Sequence, residues 1–209
     1  EYLDKKNDLY RIKEEVDPDW EINGITRIGL QEHGPAMQFD RIKGCDYPMV
    51  ANLLGTDRRF LAALGMEHWS TFNDEWCRRT DKPVKPRIVT KAPCQEVVLE
   101  GADIDLDRIC NTKWHQYDGG KFPGTLSVSI TKDPDTGVLN AGIYRMGTLG
   151  KNRLGWGAPE YTHGRQHYIK YERMNKPMPM AVVTGYDPTV FIVASTRTPP
   201  GVDEFEIAG

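Results

Sequence analysis

Five histidines, at positions 33, 68, 115, 163 and 167, are the side chains here best suited to bind a metal or to move a proton near neutral pH. His163 and His167 stand four apart, so on a helix they share one face. Two such imidazoles can hold zinc, but the HExxH pattern needs glutamate at 164, where Gly164 stands. The alternative is a helix surface or a satisfied core histidine, and His167 is expected to be dispensable. Gly147-Thr148-Leu149-Gly150-Lys151-Asn152 has the glycines and the lysine of a phosphate loop. It lacks the Walker spacing, and no helical period follows it, so it reads as an ordinary mobile loop. No Gly-x-Ser-x-Gly elbow occurs, which leaves a serine-hydrolase triad without support. The stretch Asn140-Ala141-Gly142-Ile143-Tyr144-Arg145 is more informative: it sets an amide, a glycine and a guanidinium into otherwise core-like sequence. Plainer readings remain open for it, with Asn140 finishing a turn and Arg145 reaching solvent from a sheet edge.

The elements that must position these groups follow from pattern. The polar stretch from Asp4 to about Asp17 is expected to begin as a helix. Met49 to Leu54 is an apolar run between Pro48 and Gly55, which predicts a buried strand. Thr56 can then cap a helix carrying Phe60, Leu61 and Leu64, with Gly65 placed to end it. Strand followed by helix is the α/β pattern. From Thr80 to Val98 three prolines predict irregular, connecting chain, with a domain boundary between there and about Cys110. Leu126, Val128 and Ile130 alternate with Ser127, Ser129 and Thr131, and Val138 to Met146 follows a Lys132–Gly137 turn, which predicts a β-hairpin with a six-residue loop. A helix is predicted from Tyr161 to about Asn175 and a strand over Met180–Thr184. Asp187-Pro188 supplies a cap and a first-turn proline for a helix over Thr189–Ser195, with a buried strand as the rival there.

Composition limits the classes of function. A hydrophobic share of 39% in 209 residues is enough to bury a core, in one domain or in one with a smaller companion. No apolar run nears the length of a membrane span. A net charge of −3 gives no basic field to drive nucleic-acid binding. Cys45, Cys77, Cys94 and Cys110 form no CxxC and lie far apart, which argues against a zinc ribbon or a redox dithiol and favours thiols in a reducing compartment over disulfides. Glu1-Tyr2-Leu3-Asp4 shows no charged-then-apolar leader. A cytoplasmic protein without a membrane span is expected.

Seven separated motifs resemble the UbiD decarboxylases in order and spacing, from about Ile25 to the end. They are Gln31-Glu32-His33-Gly34-Pro35-Ala36, Asp46-Tyr47-Pro48 through Gly55-Thr56, Asp118-Gly119-Gly120, Thr131 to Gly137, Gly142-Ile143-Tyr144-Arg145-Met146, Gly150-Lys151-Asn152-Arg153 and Gly201-Val202-Asp203-Glu204. The resemblance implies an N-terminal α/β domain, residues 1–110, followed by part of a split β-barrel flavin-binding domain, residues 111–209. It implies prenylated FMN as cofactor, supplied by a flavin prenyltransferase, and reversible decarboxylation of an aromatic or α,β-unsaturated carboxylic acid. Asn140, His163 and Glu204 fall where the family places ligands of a divalent cation, Mn²⁺ or Mg²⁺, that bridges to the cofactor phosphate. A potassium ion is implied at backbone carbonyls between Val193 and Arg197. Thr125 and Ile143 match cofactor-contacting positions, and Arg145 matches the arginine of the catalytic Arg-Glu-Glu set. Thr162 stands where some members carry a substrate-pocket glutamine.

These residue types suit that chemistry. A hard cation held by an amide oxygen, a carboxylate and an imidazole neutralises a phosphate without reacting itself. A guanidinium matches both oxygens of a substrate carboxylate and stays charged. Asn140 and Arg145 are five apart and would face opposite sides of an unbroken strand, so a bulge is expected at Gly142. The family's two catalytic glutamates come after the region that ends here at Gly209, and neither Glu204 nor Glu206 replaces them. The expectation is therefore a fragment, the product of a truncated gene or one subunit of a split enzyme, forming a homo- or hetero-oligomer through open barrel edges. Two other readings stand beside it: a non-catalytic partner subunit, and a plain FMN-binding reductase-like protein.

Overall fold

Leu9–Val16 forms strand β1, which turns Ile12 and Val16 inward and leaves most of the charged side chains between them exposed. The helix expected for this region, α1, is confined to Tyr2–Lys5. In the computed structural model, which describes residues 1–123 and 125–209, the chain forms two units, each discontinuous in sequence. One comprises Glu1–Trp69, Asp105–Thr125 and Met146–Gly155, the other Ser70–Ile104, Leu126–Arg145 and Trp156–Gly209.

In the first unit β1 pairs in parallel with β2 (Ala36–Ile42) across helix α2 (Glu21–Gln31), a βαβ arrangement. Strand β3 (Met49–Ala51) adds antiparallel to β2. It is shorter than the predicted run to Leu54, because Asn52 takes φ +56° and donates its amide to the carbonyls of Gly34 and Pro35. Ile12, Val16, Ile22, Met37, Phe39, Ile42 and Ala51 form the core of this unit. Helix α3 (Asp57–Ala63) starts at Thr56, whose hydroxyl accepts from the Arg59 amide, and Gly65 at φ +65° follows its end, as the sequence predicted. Arg59, buried in α3, reaches Asp8 at 2.9 Å, and Arg58 takes the other carboxylate oxygen at 2.8 Å. This pair ties the helix to the start of β1.

Two short strands, β4 (Asn111–Thr112) and β5 (Phe122–Pro123), also pair in this unit. All four cysteines are free. Cys110 packs against Met49 at 3.8 Å, and burial followed by the neighbouring Cys45 pushes its thiol up to about 12.

The second unit includes α4 (Phe72–Thr80), after which no helix or strand occurs until a single turn at Pro93–Gln95, in line with the irregular segment predicted there. Its sheet has the order β10-β6-β7: β6 (Val128–Lys132) and β7 (Leu139–Ile143) form the predicted hairpin, and β10 (Met180–Val183) pairs antiparallel to β6. Asp133 and Val138 close the six-residue loop, one position later than predicted, and Gly137 takes φ +77°. Val128 and Ala141 face helix α6 (Pro188–Ala194), while Ser129 and Thr131 lie on the opposite face, against helix α5 (His163–Arg173). Helix is the outcome for Pro188–Ala194, with Asp187 capping at the Thr189 amide. Helix α7 (Glu204–Ala208) closes the chain.

One expectation is corrected and one boundary moves. The β6–β7 register runs unbroken through Gly142, so no bulge lies there; the strand instead stops at Ile143, and Tyr144 and Arg145 form the break before β8 (Met146–Thr148). Gly142 serves packing: a Cβ on it would lie 2.6 Å from the Tyr144 ring. The loop read at Gly147–Asn152 begins two residues later than expected: Gly147 and Thr148 belong to β8, which pairs with β9 (Leu154–Trp156), and residues 149–153 connect the two strands. Among the described residues no sheet closes into a barrel, and the fold is mixed α/β. No described helix is long and apolar enough to cross a membrane.

Candidate functional site

Asn140 projects from the middle of β7 on the face that α5 covers, and His163 is the first residue of α5. Glu204 opens α7, where Asp203 caps the helix by accepting from the Phe205 amide. These three positions are far apart in sequence but meet within the second unit. Glu204 is only 3% exposed. Its Oε1 accepts from Asn140 Nδ2 at 3.2 Å and from the Thr198 hydroxyl at 2.7 Å; its Oε2 accepts from the Ala141 amide at 2.9 Å. His163 Nδ1 lies 3.9 Å from Glu204 Oε1. A buried carboxylate ringed by neutral donors, with one imidazole beside it, is a donor set that suits a hard divalent cation. Among the described residues no group of three or more His, Cys, Asp and Glu side chains forms a metal cluster, so the amide is needed to complete this set.

Two residues that sequence reasoning left aside shape the site. The Tyr144 hydroxyl donates to Asn140 Oδ1 at 3.3 Å and accepts from the Gly164 amide at 3.1 Å. Its ring occupies space that exists only because Gly142 and Gly164 lack side chains, since a Cβ on either would fall within 3 Å of it. The paired glycines flanking a buried tyrosine were the available signal, but only the tertiary fold brings Gly164 to Gly142. Thr198, in the loop between α6 and α7, carried no pattern at all.

His167 does not join His163. It is buried, bonds the Thr131 hydroxyl through Nδ1 at 2.9 Å and faces Asp133 with Nε2 at 3.8 Å. Burial pulls its pKa down, opposed by Asp133. Of the two readings left open for it, helix surface or satisfied core histidine, the second holds: it joins α5 to the hairpin. Lys170, one turn on, pairs with Asp133 at 2.7 Å and Asp135 at 2.9 Å.

The other expected positions lie as follows. Arg145 is exposed in the break after β7, and its carbonyl accepts from Gly157. Ile143 packs against the Val128–Ala141–Ala194 cluster. Thr162 precedes α5 and donates its hydroxyl to the Pro159 carbonyl at 2.7 Å. Thr125 belongs to the first unit, and its hydroxyl is shielded from solvent without a partner among the described residues. The Val193–Arg197 segment ends α6, where Thr196 bonds back to the Ile192 and Val193 carbonyls. Glu206 accepts the Val84 amide through its backbone carbonyl.

Comparison with known proteins agrees with this architecture. Residues 1–78 match the 3-octaprenyl-4-hydroxybenzoate carboxy-lyase N-terminal domain, and residues 87–209 match the 3-octaprenyl-4-hydroxybenzoate carboxy-lyase Rift-related domain. The chain belongs to the UbiD family. An uncharacterised protein of Synechocystis is 31% identical over 99% of this chain and 46% of its own length. The UbiD-class enzyme HmfF of Pelotomaculum thermopropionicum, in an evolved dimeric form in complex with prFMN, superimposes with a TM-score of 0.92 at 31% identity, over 99% of this chain and 48% of that one. The closed vanillic acid decarboxylase of Sedimentibacter hydroxybenzoicus gives 0.92 at 32% identity, over 100% and 46%. The chain thus spans about half the length of the relatives it matches.

Proposed function

We propose that this chain supplies the cation and cofactor-phosphate site, and the substrate-binding arginine, of a prenylated-FMN-dependent decarboxylase acting on an aromatic or α,β-unsaturated carboxylic acid. The observation that carries this reading is the buried Glu204 carboxylate with Asn140 and His163 around it. Asn140, His163 and Glu204 would hold Mn²⁺ or Mg²⁺, which neutralises the phosphate of the flavin. Carbonyls at the end of α6, between Val193 and Arg197, would hold potassium. Prenylated FMN, when bound, supplies the electron sink that decarboxylation needs.

The protein's part is binding and orientation. Thr198 and the Ala141 amide fix the Glu204 carboxylate by hydrogen bonds, so its oxygens are placed before any cation arrives. Arg145, exposed just past the end of β7, would take up a substrate carboxylate through paired N–H groups. Ile143 offers an apolar contact to the flavin, and Thr162 lines the acid's pocket. The catalytic glutamates of the family's Arg-Glu-Glu set are not assigned to this chain. In the cell the reading implies a cytoplasmic oligomer, loaded by a flavin prenyltransferase.

Mn²⁺ titration of the chain with FMN, followed by the electron paramagnetic resonance of free Mn²⁺, tests the proposal. Glu204→Ala is expected to weaken Mn²⁺ binding at least tenfold. Arg145→Ala is expected to bind Mn²⁺ as wild type does, while losing protection of the site by added aromatic acids. Unchanged Mn²⁺ affinity in Glu204→Ala would sink the reading.

A further inference from the structure

We infer that Tyr144 is a positioning residue for the proposed cation site, holding the Asn140 amide in either of two orientations. The inference rests on the reading of Asn140, His163 and Glu204 given above. In the structure Asn140 presents Nδ2 to Glu204 Oε1 at 3.2 Å and Oδ1 to the Tyr144 hydroxyl at 3.3 Å. Without a cation this is the favourable arrangement, because an N–H donor meets a carboxylate. Sharing a cation with Glu204 demands the opposite: two oxygens must face the ion, so the amide turns over and directs Nδ2 toward Tyr144. A side chain that only accepts or only donates would serve one orientation and oppose the other.

A tyrosine hydroxyl does both. It donates to Oδ1 in the orientation observed, and by rotating its hydrogen it accepts from Nδ2 in the other. Its position is held independently of Asn140, by the 3.1 Å bond from the Gly164 amide and by the ring's seat against Gly142 and Gly164. Tyr144 is 6% exposed and Asn140 5%, so water does not readily substitute for the missing partner. Gly164 directly follows His163, so the same hydroxyl also ties the first turn of α5, and with it the imidazole, to the amide. Tyr144 therefore links two of the three proposed ligands while touching no cation.

Mn²⁺ affinity of wild type, Tyr144→Phe, Asn140→Ala and the double variant, measured with Mn²⁺ alone by paramagnetic resonance, decides the matter. Tyr144→Phe keeps the ring and removes only the hydroxyl. It is expected to weaken Mn²⁺ binding about tenfold when Asn140 is present, in the range typical for outer partners of metal ligands, and to cost clearly less when Asn140 is Ala, where only the link through Gly164 to His163 is left to lose. Equal losses in both backgrounds would show a general structural role and overturn the inference alone. Failure of wild type to bind Mn²⁺ better than Glu204→Ala overturns the underlying reading, and this inference with it. Should Tyr144→Phe not fold, Mg²⁺ titration of ¹⁵N-labelled wild type decides instead. The Gly164 amide and the Asn140 side-chain amide are expected to shift at the same Mg²⁺ concentration, and a static Gly164 signal rules the link out.

Discussion

At the scale of single residues, burial separates two histidines that the sequence makes look equivalent. His163 stands at the edge of α5 beside Glu204, whereas His167, one turn later, is locked between Thr131 and Asp133. A histidine whose folded pKa is depressed by burial contributes stability in full above its unfolded value of about 6.5. That contribution is lost as pH falls from there toward the lower folded value, because the unfolded chain takes the proton first. The melting temperature of wild type is thus expected to fall more between pH 7.5 and pH 5.5 than that of His167→Gln. Equal falls would show that another group sets the acid sensitivity. Asp203 works in the opposite sense, since burial raises its pKa, which is why the comparison must be made between variants rather than on wild type alone.

At the scale of elements, the hairpin β6–β7 and helix α5 are set by how closely Tyr144 can approach them. Alanine at Gly142 would place a Cβ 2.6 Å from the Tyr144 ring, in a buried position with no room to yield. Gly142→Ala is expected to destabilise by about 1–3 kcal/mol through overpacking. Gly24 offers the contrast: it lies inside α2 with nothing within 4 Å of a built Cβ, so Gly24→Ala should stabilise by about 0.5–1 kcal/mol. Urea denaturation of the two variants checks both signs at once. Gly142 also shows where pattern reasoning misleads. The five-residue spacing of Asn140 and Arg145 led to an expected bulge, and the glycine drew that expectation to a residue where the strand is regular. The break falls at Tyr144–Arg145, because the tyrosine turns inward to fill the space that Gly142 leaves.

At the scale of the whole molecule, apolar surface remains open. Among the described residues β10 pairs only with β6, and its Met180 and Val182 are exposed, as is Leu126. The irregular segment adds Ile88 at 87%, Val97 at 70% and Val98 at 66% exposure. A sheet edge and an apolar strip of this kind favour association. Gel filtration at tens of micromolar is expected to place the chain well above the 23.7 kDa of one copy. Ile88→Lys with Val98→Lys is expected to shift it toward that mass; a monomeric wild type would contradict the expectation.

Sequence alone determined the elements whose signals are local: the Thr56 and Asp187 caps, the Asp133–Gly137 turn, the strand alternation of Val128–Thr131 and the irregular chain from Thr80 to Val98. Each rests on a hydrogen bond or steric preference spanning a few residues, and motif order was enough to indicate the UbiD family. The β1 strand was missed because its inward residues, Ile12 and Val16, are four apart, a spacing that suits a helix as well as a strand. What only the tertiary structure decided is which distant side chains meet. Asn140, His163, Thr198 and Glu204 come from four separate segments, and nothing within any one of them encodes the others. Their encounter depends on α5 and α7 packing against β7, and on a tyrosine finding two glycines that lie 22 positions apart in the chain.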